Sequence, residues 1–296
     1  MALAQFVVNG LLVGALFAAV AVGFALIWGV VDIINLAHGE MVMLGGYTSY
    51  TVIAVVTGGA AASPLLALAT VPVAVGVVYG IGYLLQRTLV ARVTDEDLFL
   101  TLLVTFGLSI LIQQVALRIW SATPRSITVS FGESSLAVAG LVVPKLKLLA
   151  FVGSVVLTGA LYGFMRTTRR GRAIRAVAQN AEAAALVGID VEHTRATTFG
   201  LSSAVAAGAG SFVAMILGVQ PQMGLIYTLK SFVIVVFGGI GSVPGALVGG
   251  LLLGTVEELT AGLVSSQWTL AVSFSLLIVL LLVKPSGLFG EGVTDE

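Results

Sequence analysis

Residues 1–31 read MALAQFVVNGLLVGALFAAVAVGFALIWGVV, without one charged side chain. About 20 helical residues cross a hydrocarbon core roughly 30 Å thick, so this run is long enough to span a bilayer. Similar runs recur, and the spans they predict are 5–29, 38–57, 64–90, 98–120, 146–166, 197–218 and 266–283. The chain is 58% hydrophobic and only 9% charged, with 36 glycines. A soluble domain carries about 25% charged residues, so these cannot build a water-facing surface for the whole chain. The expectation is an all-α, polytopic transmembrane helical bundle of about eight spans, a single domain over 1–296, multi-pass in the cell membrane. A membrane β-barrel would show short alternating strands, and none is visible. The first run lacks a basic leader and a small-residue cleavage site, so it reads as a retained span and not a signal peptide.

The stretch 227–258 completes the count but is interrupted by FGGIGSVPGALVGG at 237–250. Lipid cannot satisfy the backbone groups that Gly and Pro free, so such a break needs protein or a water-filled cavity around it. Two readings stay open: one kinked span, or two half-helices meeting in the membrane. In the second, Gly239, Gly241 and Pro244 are candidate pathway residues. The stretch is not a dinucleotide loop, because Pro244 stands where GxGxxG needs glycine and no βαβ unit surrounds it. No GxxxxGK[ST] occurs, so no Walker loop for ATP is present.

Arginine sets the expected orientation. Residues 165–195 hold Arg166, Arg169, Arg170, Arg172, Arg175 and Arg195, which places this loop in the cytoplasm and the N-terminus outside. Arg87 and Arg92 flank a second inner loop that closes with Asp95, Glu96 and Asp97. Residues 121–145 become a longer external loop, and a re-entrant 227–258 returns the tail from Lys284 inside. Gly10/Gly14, Gly76/Gly80, Gly159/Gly163 and Gly245/Gly249 are small-residue pairs that let helices approach closely.

The polar knot INLAHGE, 34–40, adjoins Asp32 between two apolar runs. A charge at mid-bilayer costs about 3 kcal/mol on insertion scales, so these side chains face a cavity, find partners or lie at the interface. Asn35, His38 and Glu40 are therefore candidates for a polar hinge or lining beside a substrate path. A metal site is not expected: the chain has no cysteine, and its second histidine, His193, lies on the arginine-rich loop. Glu257 and Glu258 read as the end of a helix. In AQNAEAAALVGI, 178–189, alanines favour a short helix that Gly188 would end. Its smooth surface suits a partner's groove.

Four stretches carry a family resemblance. Residues 9–40 resemble the opening span and N-[FL]-A-H-G-E signature of the permease subunits of branched-chain amino acid ABC importers, the LivH type. GRAIRAVAQNAEAAALVGID at 171–190 resembles their cytoplasmic coupling segment, 237–250 their glycine-rich motif, and KPSGLFG at 284–290 their C-terminal motif. Glu182, Ala183, Ala184 and Gly188 fit the EAA-x3-G core, with Arg175 just before it; Thr198, Phe199 and Gly200 depart from its longer form. The resemblance implies a translocation pathway for branched-chain amino acids shared with a second, homologous permease. It implies two ATPase subunits docked on the coupling segment and an extracytoplasmic substrate-binding protein. The chain would bind no cofactor, catalyse nothing and contact no nucleic acid; ATP is used by the partner subunits. The alternatives are an ABC permease for urea, short amides or another small solute, or a stand-alone channel or secondary carrier.

Overall fold

The computed structural model of the chain describes residues 2–94, 98–132, 134–138, 140–284 and 287–289. Asp95, Glu96 and Asp97, and Pro285, Ser286 and Gly290 of the C-terminal motif, lie outside them. The helices are α1 (Ala2–Val31), α2 (His38–Thr57), α3 (Pro64–Thr88), α4 (Leu98–Trp120), α5 (Lys145–Thr167), α6 (Arg169–Gln179), α7 (Ala181–Leu186), α8 (Val191–Ile216), α9 (Gly224–Gly238), α10 (Val243–Leu263) and α11 (Thr269–Val283). Between α4 and α5, β1 (Ser135–Val138) and β2 (Leu141–Pro144) pair antiparallel, so the long loop carries a small hairpin.

Among the described residues, eight segments are long and apolar enough to cross a membrane. The number agrees with the expectation, but the membership differs. The stretch 227–258 is neither one kinked span nor a pair of half-helices meeting at mid-membrane. It yields two of the eight, Pro221–Gly238 and Val243–Leu263. The expected span 38–57 is a helix of 20 residues that is not among the eight. Its first turn carries His38 and Glu40, and its middle holds Gly45 and Gly46, which lower its apolar content.

The centre of the bundle is α1 and α8. Their most apolar windows are 94% and 89% buried, against 11% for the window that contains α11. α8 achieves this with small and hydroxyl residues. Thr198, Ser202, Ser203, Gly208, Gly210 and Ser211 are all buried. All the hydroxyls but that of Ser203 find partners within the protein: Thr198 donates to the Thr194 carbonyl (2.8 Å), Ser202 to the Gly23 carbonyl (2.6 Å), Ser49 to Ser211 (2.8 Å) and Ser211 to the Ala207 carbonyl (3.0 Å). Packing of small residues and interhelical hydrogen bonds hold helices together in lipid, where hydrophobic burial gives no net drive. α10 runs antiparallel along α1. The backbone at Gly10 meets Gly254 and Thr255, Gly14 meets Gly250 and Leu251, and Gly29 reaches Gly241.

The molecule therefore has two ends. At one lie the arginine-rich helix α6, Gly29 and Gly241. The other carries the β-hairpin, where the Gln5 side-chain amide donates to the Val142 carbonyl (2.7 Å). Residues 125–130 lace this end: Arg125 pairs by backbone with Val219, and the amides of Ala62 and Ser130 bond to the carbonyls of Thr128 and Ala62. The tail returns to the arginine-rich end. There the Leu288 and Phe289 amides donate to the Phe237 and Gly238 carbonyls (2.9 and 3.1 Å), which satisfies the last turn of α9.

Candidate functional site

The polar knot sits inside the bundle, not at its surface. α1 ends at Val31, and Asp32 takes a left-handed backbone (φ 57°) that reverses the chain. Residues 32–37 then run back along α1, and α2 begins at His38. The His38 Nε2–H donates to the Val20 carbonyl (2.9 Å), and the ring stands edge-on to Phe24 at 5.4 Å. Val20 precedes the end of α1 by roughly 16 Å at 1.5 Å per residue. α2 thus starts at depth.

Two more helices, α4 and α9, meet it there. The Asn35 carboxamide oxygen accepts from the Ala37 amide (3.0 Å) and shapes the entry turn. The Gly39 amide donates to the Thr228 hydroxyl of α9 (2.8 Å), which itself donates to the Leu36 carbonyl (3.2 Å). Ser109 of α4 donates to Glu40 Oε1 (2.9 Å). The Glu40 carboxyl lies directly on Gly224, the first residue of α9, where any Cβ would overlap it. Glu40 is thus at the N-terminal turns of two helices, the ends that favour negative charge. Asn35, His38 and Glu40 are all at most 2% exposed. The cavities described below are lined by other residues. Thr228, Ser109 and Gly224 complete the knot, and nothing in the sequence distinguishes them from other hydroxyl and glycine residues in apolar runs.

Gly239, Gly241 and Pro244 lie elsewhere. Gly239 and Gly241 take φ of 100° and 77°, a conformation that L side chains resist, and Ser242 caps α10 by accepting from the Gly245 amide (3.0 Å). The result is a tight turn between antiparallel α9 and α10, whose Gly238 and Gly245 backbones touch. The turn is at the arginine-rich end, not at mid-depth. Gly241 and Pro244 share a cavity of about 310 Å³ with Gly29, Met165, Arg166 and Arg175.

Residues 168–189, the stretch expected to couple to an ATPase, form a pair of capped helices. Thr168 accepts from the Gly171 amide (2.9 Å) to start α6, and Asn180 accepts from the Ala183 amide (2.8 Å) to start α7. α7 ends in a Schellman motif: the Gly188 amide bonds to the Ala185 carbonyl (3.0 Å) and the Ile189 amide to the Ala184 carbonyl (3.0 Å), with Gly188 at φ 85°. Glu182 and Ala183 are exposed, whereas Ala184 is buried and forms the foot of the helix. Arg175 is exposed and donates to the Met165 carbonyl at the end of α5. The tip of the hairpin is Leu186 and Val187, 89% and 78% exposed. These two belong to the stretch singled out in the sequence but were not among its candidate residues.

A further polar group was missed. Glu257 and Glu258 do not end a helix; α10 continues to Leu263. They point apart, Glu258 to Lys147 (3.3 Å) and Glu257 to Lys230 of α9 (2.6 Å). Ser273 of α11 donates to Glu257 (3.1 Å). The two histidines do not converge: His193 bonds to Tyr83 (3.1 Å) at the arginine-rich end. Among the described residues no three His, Cys, Asp or Glu side chains come together as a metal site would need.

Residues 6–281 match the profile of the family described as "Branched-chain amino acid transport system / permease component". The chain is 34% identical over 300 residues to the high-affinity branched-chain amino acid transport system permease protein BraD of Pseudomonas aeruginosa, covering 99% of this chain and 97% of BraD. It is 34% identical over 298 residues to the corresponding protein LivH of Escherichia coli K12, covering 97% and 96%. The probable branched-chain amino acid transport permease LivH of Methanocaldococcus jannaschii is 25% identical over 285 residues, covering 91% and 87%. With eight apolar crossing segments and a family match over nearly its whole length, this multi-pass membrane protein belongs to the permease components of branched-chain amino acid transport systems.

Proposed function

We propose that this chain forms, with a second homologous permease, the translocation pathway of an ATP-driven importer for branched-chain amino acids. An extracytoplasmic binding protein delivers the solute at the β-hairpin end. Two ATPase subunits dock at the arginine-rich, cytoplasmic end and consume the ATP; this chain catalyses no reaction and holds no cofactor. The observation that carries the reading is the α6–α7 hairpin. It offers Leu186 and Val187 at a rigid, doubly capped tip beside Glu182 and Ala183. Two apolar side chains held in water at the end of a short helix fit a groove in a partner.

The same geometry suggests how docking reaches the membrane. Arg175 of α6 shares its cavity with the glycine turn, and the turn joins α9, tied to the knot by Thr228, to α10, which lines α1. Movement of α6 would be passed to both. The pathway role expected of Gly239, Gly241 and Pro244 becomes that of a link between docking and pore. For Asn35, His38 and Glu40 we favour the hinge role, because each holds a helix start.

Tagging this chain in its native membrane and purifying it tests the assembly. Subunits with Walker motifs should co-purify with the wild-type chain, and Leu186→Asp should lose them while the chain stays in the membrane. Equal recovery of ATPase subunits with Leu186→Asp would exclude this tip as the dock.

A further inference from the structure

At the β-hairpin end a cavity of about 410 Å³ opens between α1, α9 and the turn that follows α8. It is within the usual range of small-molecule sites, about 300–1,000 Å³. Phe17, Leu217, Met223, Ile226 and Tyr227 give it an apolar wall, and Lys230 is the one charged side chain that lines it among the described residues. The Lys230 ammonium is held in place: Glu257 accepts from it at 2.6 Å, and the Phe17 ring centroid is 4.2 Å away. The Lys230 and Glu257 side chains are only 15% and 9% exposed. A buried ion pair adds little net stability over apolar residues of the same volume. Ionisable groups at such depth more often serve a solute path.

We propose that this cavity receives the transported amino acid and that Lys230 holds its α-carboxylate; the inference rests on the import function above and names a contact for it. An ammonium has three N–H donors. Glu257 takes one and keeps the lysine aimed when the cavity is empty. A second is available to a carboxylate without breaking the pair. The aliphatic side chain of the solute lies against Leu217, Met223 and Ile226. Gln220, on the rim, carries an amide oxygen that accepts from the solute's ammonium. Glu257 is bound in turn by Ser273, so the anchor joins three helices that shift together when the pathway reorients.

Removing Lys230 alone leaves Glu257 buried and unpaired, so the informative variant is the neutral pair Lys230→Met/Glu257→Gln. It is expressed in cells that lack the chromosomal copy, and uptake of labelled leucine is measured with membrane level and melting temperature. A carboxylate contact is one charge-assisted hydrogen bond, so uptake should fall about 10-fold or more at unchanged level and melting temperature. Uptake at the wild-type rate would show that the pair serves packing only and would overturn the proposal. Exposed Ile226 supplies a second pair of variants that does not depend on the ion pair. Ile226→Glu places a carboxylate at Lys230 and should block uptake far more than Ile226→Gln; equal rates for the two would also overturn the contact. Wild-type cells that take up no leucine would instead overturn the import function, and the carboxylate contact with it.

Discussion

At the residue scale, the Glu40 carboxyl and Gly224 form the closest constraint in the polar knot. Gly224→Ala puts a methyl into the space that the carboxyl fills. Overpacking of this kind costs about 1–3 kcal/mol, so the melting temperature in detergent should drop. Glu40→Asp shortens the carboxyl away from the same spot. The double variant Gly224→Ala/Glu40→Asp should therefore be more stable than the sum of the two singles, a non-additivity that a double-mutant cycle reads directly. Strict additivity would mean that the two residues are not in contact. Asn35, His38 and Glu40 were legible as a knot because polar side chains are rare in apolar runs. Their partners were not. A threonine at 228 or a serine at 109 carries no signal of its own, since hydroxyls in membrane helices commonly bond back to their own helix, as Thr48 does to Leu44 (2.7 Å).

At the element scale, four glycine pairs share one spacing and differ in use. Gly10 and Gly14 lie against α10, and Gly245 and Gly249 against α9, whereas a Cβ at Gly76, Gly80, Gly159 or Gly163 meets open space. Gly254 faces the backbone of Gly14 in the same seam. Gly254→Leu should wedge α1 from α10 and abolish the folded protein in the membrane, whereas Gly76→Leu should leave its melting temperature within a few degrees of wild type. Equal damage from both would contradict the α1–α10 seam. Spacing alone could not separate these pairs, because it reports a helical face and not what the face meets. The same limit hid the hairpin at 239–242. Glycine and proline announced a break, but the depth of the break depends on α10 running beside α1. Gly241→Val, at φ 77°, should impair uptake through the link to α6 even if the chain inserts normally.

At the scale of the whole molecule, the two ends differ in build: one carries the arginine-rich helix α6 and the short helix α7, the other the β-hairpin. Apolar run length made the fold class legible, because it follows from transfer costs that act locally. The chain's return to depth at residues 32–37 was not legible: it depends on His38 finding the Val20 carbonyl in another helix. The proposed docking role of the arginine-rich end can be tested by itself. Glu182 is exposed on α7, so Glu182→Arg should leave insertion and melting temperature unchanged and abolish uptake by inverting charge at the proposed ATPase contact. Normal uptake by this variant would place the dock elsewhere. The most direct measurement is labelled leucine uptake in cells with and without this chain, with unlabelled isoleucine, valine and urea as competitors and ATP depleted in a parallel sample. The expected result is high-affinity leucine uptake that needs this chain, is competed by isoleucine and valine but not urea, and stops without ATP. Leucine uptake that is unchanged by loss of the chain, or that continues after ATP depletion, would contradict an ATP-driven importer of branched-chain amino acids.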